Sequence, residues 1–309
     1  MSSSWQNLPL DLKERVAAGL PRNWATQLRC VDKTTAAQFK DHPRYSVIKL
    51  SEPVPHQLFA AHWKRHATGL PLERRKRLLA LTAASGDLNN LELAWSICSC
   101  PLPMEVMDLA AAANRPQILG WLRSQNCPWG GLSGVGATVT PDTVTWLTHA
   151  GCPLQPVRLL KDAAAGGNDA LVAWLVRDGG LAATFIDEGV VAAARGGHVG
   201  ILDSLLARRQ QQLQPQTLGQ PQHQQPRLHD GGRMAEGDGL VGGGDSSSSF
   251  TRVGELLAAA AEGCGLEVLQ RLHATFVGQP DQVCATWRGE TVAAAAGSAT
   301  PDWAAKLEW

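Results

Sequence analysis

Apolar residues recur at helical spacing along most of the chain, and they do so in a unit that repeats. Ile118, Trp121 and Leu122, and again Leu171, Trp174 and Leu175, are spaced i, i+3, i+4, which gathers them on one face of a helix. An Ala-rich stretch and a turn precede such faces: Ala163-Ala164-Ala165-Gly166-Gly167-Asn168 leads to Trp174, and Ala192-Ala193-Ala194-Arg195-Gly196-Gly197-His198 leads to Leu202 and Leu205. The frame also fits Ala83-Ala84-Ser85-Gly86-Asp87 with Trp95, Ala111-Ala112-Ala113-Asn114 with Trp121, and Val144 to Leu147 around Trp146. Two more copies are Ala260-Ala261-Glu262-Gly263 with Leu269 to Leu272, and Ala295-Ala296-Gly297 with Leu307 to Trp309. On the tryptophan column the frames fall at 95, 121, 146, 174, 204, 271 and 309, a period of about 25 to 30 residues with longer intervals near the C-terminal end.

The pattern predicts a helix, a turn and a second helix per unit. Alanine lets neighbouring units approach closely, and the glycine after it supplies a left-handed helix end. Asn168 or Asp169, and Asp142 after Pro141, are N-terminal signals for the second helix. No unit can bury its apolar stripe alone, so the expected fold is an all-α solenoid of stacked units. The column Trp95, Trp121, Trp146, Trp174 and Trp309 is expected to be at least half buried between neighbours.

Before the repeats, Trp5, Leu8, Pro9 and Leu10 lead into Leu12, Val16 and Leu20, an i, i+4, i+8 stripe in which Asp11 and Glu14 are spaced as a capping pair. Pro21 and Asn23 end that helix and start another, with stripe Trp24, Leu28 and Val31. Three short helices are expected in this region. Residues 210–250, Gln-rich and then Gly- and Ser-rich, have no apolar period and read as a disordered insertion in the array.

These residues carry two resemblances. The Ala-Ala helix, Gly-His turn and Leu-Leu second helix, seen best from Ala193 through His198 to Leu205 and Leu206, resemble the ankyrin repeat in its short-period algal, amoebal and giant-virus variety. The Thr-Pro-Leu-His opening is missing from every copy, the period is below the usual ~33 residues, and tryptophan often replaces the first leucine of the second helix. Leu8-Pro9 and Leu28-Arg29-Cys30-Val31-Asp32-Lys33 resemble the F-box, a helical motif that docks on the Skp-type adaptor of a cullin-RING ubiquitin ligase while C-terminal repeats select the substrate. That resemblance implies Leu8, Pro9, Leu12, Val16, Leu28 and Val31 as adaptor-facing or core residues. The alternative is that these helices only cap the first repeat. The organisation expected is an F-box-like module over 1–48, a basic connector over 49–77, about five ankyrin repeats over 78–209, the insertion over 210–250, and two further repeats over 251–309, the last incomplete.

Charge sharpens this division. The 309 residues carry 28 Lys and Arg against 28 Asp and Glu, yet residues 1–80 hold 14 bases against six acids and the remainder is acidic by the same margin. Overall neutrality argues against a polybasic nucleic-acid binder. With no signal-type apolar stretch and no window of membrane-spanning length, a cytoplasmic or nuclear protein is expected. The seven cysteines are scattered and odd in number, which fits reduced thiols.

Candidate chemistry is sparse. Cys98, Cys100, Cys127 and Cys152 fall near the ends of their repeats, three of them before proline, and read as a packing ladder more readily than as metal ligands. His62 and His66, one turn apart with His56 nearby, read as the exposed side of a connector helix, and Arg74-Arg75-Lys76-Arg77 as a solvated face or a nuclear-localisation patch. No catalytic motif is present and the acids form no evident pair, so neither an enzyme nor a cofactor is expected, although lipid hydrolases also carry ankyrin repeats. The expected partner is a protein on the repeat surface. Trp129, in the loop after Cys127-Pro128, is the leading exposed contact outside the column.

Overall fold

The computed structural model describes residues 5–66, 69–178, 183–213, 252–277 and 285–309, and among them every regular element is helical. The chain divides into two compact units, residues 1–180 and 181–309.

The first unit opens with α1 (Leu10–Gly19), α2 (Arg22–Ala25), a 3₁₀ turn over Thr26–Cys30, α3 (Lys33–Gln38) and α4 (Pro43–Ser46). Their core is small: Ala17, Ala25, Phe39 and Tyr45, with Leu20 and Leu28 packed against it. Phe39 and Tyr45 meet edge to face at 5.0 Å. Helix α1 buries Lys13 and Ala17, leaving Leu12 half-buried and Val16 exposed, and its N-cap is Pro9, with no side-chain cap from the Asp11 and Glu14 pair. Lys13 lies over the Trp5 ring, 5.8 Å from its centroid, and the Trp5 indole donates to Thr35 Oγ1 at 3.1 Å. Beyond it, α2 lasts four residues before the chain tightens to 3₁₀ geometry. The α-period linking Trp24, Leu28 and Val31 is lost there, leaving Trp24 and Val31 exposed.

Two buried asparagines join this module to the helices beyond it. Asn23 donates from Nδ2 to the carbonyls of Lys49, Glu52 and Pro53 at 2.8, 3.1 and 3.0 Å and accepts from the Lys49 N–H at 2.9 Å. Asn90 donates to Val54 O at 2.7 Å and to Asp87 Oδ2 at 2.8 Å, while its Oδ1 lies 2.8 Å from His56 Nδ1. Between them runs α5 (His56–His66), packed on α7 (Leu88–Cys98) with Phe59 buried. The expected basic connector is therefore largely helical, and α6 (Leu72–Ser85) begins inside it.

Helical hairpins come next. They pair α6 with α7, α8 (Met104–Ala112) with α9 (Pro116–Ser124), and α11 (Pro156–Gly166) with α12 (Asp169–Asp178). Before α10 (Pro141–His149) the first helix shrinks to a 3₁₀ turn over Val135–Ala137, which packs between α8 and α11. In the second unit α13 (Ala183–Arg195) precedes α14 (Val199–Leu213), α15 (Val253–Gly263) precedes α16 (Leu266–Phe276), and α17 (Ala285–Ala296) precedes α18 (Trp303–Glu308). There α13 packs on α15 and α15 on α17.

One position is constant. The fourth residue of each second helix is buried: Leu91, Leu119, Val144, Val172, Leu202, Leu269 and, in the last hairpin, Lys306. The carbonyls at the ends of first helices, which lack intrahelical donors, are met from the next hairpin. Arg115 Nε donates to Ala84 O at 3.1 Å, Cys264 Sγ to Ala194 O at 3.2 Å, Ser298 Oγ to Glu262 O at 2.7 Å and Lys306 Nζ to Ala261 O at 2.9 Å. Asn168 Nδ2 does the same for Gly136 O and Val139 O at 2.9 and 2.8 Å, while its Oδ1 accepts from the Leu171 N–H. The cap of α10 is Thr140 rather than Asp142.

Close stacking requires glycine where α13 and α15 end. A Cβ on Gly263 would lie 2.1 Å from Arg195 O, and one on Gly197, at φ +73°, would lie 2.5 Å from Gly263 O. Most of the expected insertion, residues 214–251, lies outside the described residues. The hairpins before and after it nevertheless pack directly. Consecutive acids of α13 hold both sides, with Asp187 on Arg209 at 2.7 Å and Glu188 on Arg252 at 2.5 Å, and Arg271 pairs with Asp203 at 2.6 Å.

Candidate functional site

The six residues singled out in the N-terminal module divide into two sets. Leu28 packs against the core, and Leu8 and Leu12 are half-buried. Pro9 is exposed, as are Val16 at 44% and Val31 at 51%. Leu10 and Trp24 are exposed as well, so the module turns several large apolar side chains to solvent while burying Lys13, Asn23 and Thr35. The polar residues tolerate burial because Asn23 and Thr35 are hydrogen-bonded and Lys13 lies over an aromatic ring. The apolar ones lack cover because the alanines at the core bring the helices together without them.

Four rings of the tryptophan column, Trp95, Trp121, Trp146 and Trp174, are half-buried, and Trp95 meets Trp121 edge-on at 5.5 Å. Their register differs from the expectation. Trp121, Trp146 and Trp174 stand sixth in their helices, whereas Trp95 stands eighth. Trp309 leaves the column altogether: it sits beyond the end of α18, is 53% exposed, and packs edge-on to His273 at 5.2 Å. Trp129 also departs from its expected exposure. Its ring is half-buried, with the Arg123 guanidinium over it at 4.3 Å, held there by donation from Arg123 Nη1 to Cys127 O at 2.8 Å. Trp303 and Trp24 are the exposed rings besides Trp309 among the described side chains, and the Trp287 side chain lies outside them.

Cys98, Cys100, Cys127 and Cys152 are buried, and desolvation pushes the thiols of Cys98, Cys127 and Cys152 up to about 11, which disfavours thiolate chemistry. No group of three or more His, Cys, Asp or Glu among the described residues is arranged to hold a metal ion. His62 and His66 stack on each other at 4.6 Å and are exposed. In the basic run, Arg74 and Arg77 face solvent, Lys76 pairs with Glu73 at 2.9 Å, and Arg75 donates to Leu70 O and Cys98 O at 2.8 and 3.2 Å. Arg75 is thus a fastener between α6 and the end of α7. No described helix is long and apolar enough to cross a membrane.

Sequence reasoning passed over a cleft of about 510 Å³ in the second unit, between α16, α17 and α18, lined by Leu257, Leu269, His273, Val292, Leu307 and Trp309. Its margin is built on Lys306, whose fully buried ammonium donates to Ala261 O, Ser298 Oγ and Thr300 Oγ1 at 2.9, 3.2 and 2.6 Å. Asp302 accepts from the Leu266 N–H at 2.6 Å, and that bond, with help from Thr300 and Lys306, holds its carboxyl down at about 2. The cleft's one local trace in the sequence is a lysine at the position that the other hairpins fill with leucine or valine. Compared with known proteins, the chain matches no protein family, no curated protein and no solved structure.

Proposed function

We propose that the chain is a protein-interaction scaffold, an ankyrin-type α-solenoid with an F-box-like module, acting as substrate receptor of a cullin-RING ubiquitin ligase. The observation that carries this reading is the exposure of Pro9, Val16 and Val31 together with Leu10 and Trp24 in the N-terminal module. Apolar side chains held out of a folded module mark a docking surface. The basic balance of residues 1–80 suits a partner surface that is acidic. The repeats would select the substrate, with no catalytic step or cofactor of their own, in the cytoplasm or nucleus. Pull-down with a Skp-type adaptor tests the reading: the intact chain is expected to bind, and Val16→Asp with Val31→Asp to abolish binding with helicity unchanged. Failure of the intact chain to bind overturns it.

A second reading, in which the N-terminal helices serve only as a cap, draws on the hydrogen bonds of Asn23 and Asn90 that fasten the module to the first hairpin. It expects removal of residues 1–48 to lower the melting temperature sharply, and the adaptor to be ignored.

A further inference from the structure

We infer that His62 and His66 of α5 form a two-nitrogen site for a zinc-type divalent cation, completed by water, and that the bound ion clamps the last turn of the helix. The two residues are four apart, so they stand one above the other on successive turns. Their ring centroids are 4.6 Å apart, the rings are tilted by 40°, and both side chains are exposed. Two nitrogens bound at about 2.0–2.1 Å to one tetrahedral zinc stand roughly 3.3 Å apart, a spacing within reach of such rings by side-chain rotation alone. Neither imidazole has a hydrogen-bond partner among the described residues, so their nitrogens are open to a ligand. Other histidines are engaged: His56 Nδ1 lies 2.8 Å from Asn90 Oδ1, and His42 Nδ1 accepts from the Arg44 N–H at 3.2 Å.

Ligand chemistry selects the ion. Imidazole suits zinc, copper and nickel, whereas magnesium and calcium take oxygen. Helix α5 reads His-Gln-Leu-Phe-Ala-Ala-His-Trp-Lys-Arg-His and contains no acid, so it offers an oxygen-seeking cation no carboxylate. Arg65, three residues after His62, shares its side of the helix and opposes any cation, which limits the affinity. The consequence is mechanical. Helix α5 packs on α7 through the buried Phe59 and is tied at its start by the contact of His56 with Asn90. An ion shared by His62 and His66 binds the helical form alone, so its binding free energy stabilises the opposite end of α5. The helix between the N-terminal module and the first hairpin thereby becomes stiffer when metal is present.

Calorimetric titration of the full chain with zinc chloride tests this, in a Cys30→Ser, Cys284→Ser background that leaves only the buried thiols. The parent is expected to bind zinc, and His62→Gln and, separately, His66→Gln to weaken binding at least tenfold. Glutamine is a good helix former and both positions are exposed, so each variant is expected to keep its helicity by circular dichroism. His149→Gln, on the single exposed histidine of α10, is expected to leave binding unchanged. Magnesium chloride is expected to give no binding signal. Zinc is also expected to slow amide exchange over residues 62–66 in the parent and in neither α5 variant. A chain that binds no zinc overturns the proposal, as does one whose binding survives both α5 substitutions or that takes magnesium as readily. Zinc bound at the pair without slower exchange at the end of α5 overturns the clamp.

Discussion

The N-terminal module and the hairpins after it solve the same packing problem in opposite ways. Each hairpin buries the fourth residue of its second helix, in six cases leucine or valine, and supports it with half-buried neighbours. The module buries Lys13, Asn23 and Thr35 and leaves Leu10, Val16, Trp24 and Val31 in water. Within each unit, first helices of successive hairpins pack on one another, α6 on α8 in the first and α13 on α15 and α15 on α17 in the second. The module rests on a small core of two alanines and the Phe39–Tyr45 pair, and on specific hydrogen bonds. Several of its large apolar side chains therefore stay in solvent, while the corresponding fourth-residue positions of the hairpins are taken up by packing.

Substitutions separate the two regimes. The largest effect is expected from Leu119→Ala, which empties a fully buried position and should cost about 2–5 kcal/mol in urea unfolding. Lys306→Met should come second. Losing its charge-assisted hydrogen bonds at roughly 1.5–3 kcal/mol apiece, less than additively, should raise amide exchange in α18 first. In the module, Asn23→Ala removes the shared partner of three carbonyls and of the Lys49 N–H, at roughly 0.5–1.5 kcal/mol for each bond and less than additively, and should free residues 47–56 in exchange measurements, with the hairpins little affected. Acid gives a smaller effect. Because the Asp302 carboxyl is held at about 2 against 3.8 when unperturbed, the support it gives is complete above pH 4 and is lost as pH falls toward 2. An Asp302→Asn variant should show no such change across that window, as read by near-UV dichroism of Trp303 and Trp309. Smallest of all, Val16→Asp with Val31→Asp should move the unfolding free energy by less than about 0.5 kcal/mol per site, as expected of surface positions.

The helical character and the hairpin frames were legible because Ala-rich runs, glycine turns and i, i+3, i+4 stripes are local signals. The tryptophans were legible as repetition and less so as register. Aligning the rings put Trp95 and Trp309 in a column with Trp121, whereas the fold keeps the fourth helical residue constant and lets the ring fall at the sixth, the eighth or beyond the helix. Leu91, Leu119 and Leu202 were in plain view but less conspicuous than tryptophan. In the module, period alone put Leu12, Val16 and Leu20 on one face without saying whether that face meets the core or a partner. The burial of Lys13 goes with a Trp5 ring that bonds Thr35, thirty residues away, which no local pattern encodes. The same holds for Asn23, whose partners lie at 49, 52 and 53, and for Arg123, whose place over Trp129 turned an exposed candidate into a covered one.

The buried cysteines have a practical consequence. Cys98, Cys100, Cys127, Cys152 and Cys264 are shielded from solvent, and Cys30, beside Val31 on the module surface, is exposed. In a Cys284→Ser background a maleimide dye should therefore mark Cys30 selectively under native conditions. The protein thus carries its own attachment point for a fluorophore at the edge of the proposed docking surface, where quenching or anisotropy would register an arriving partner without an added tag.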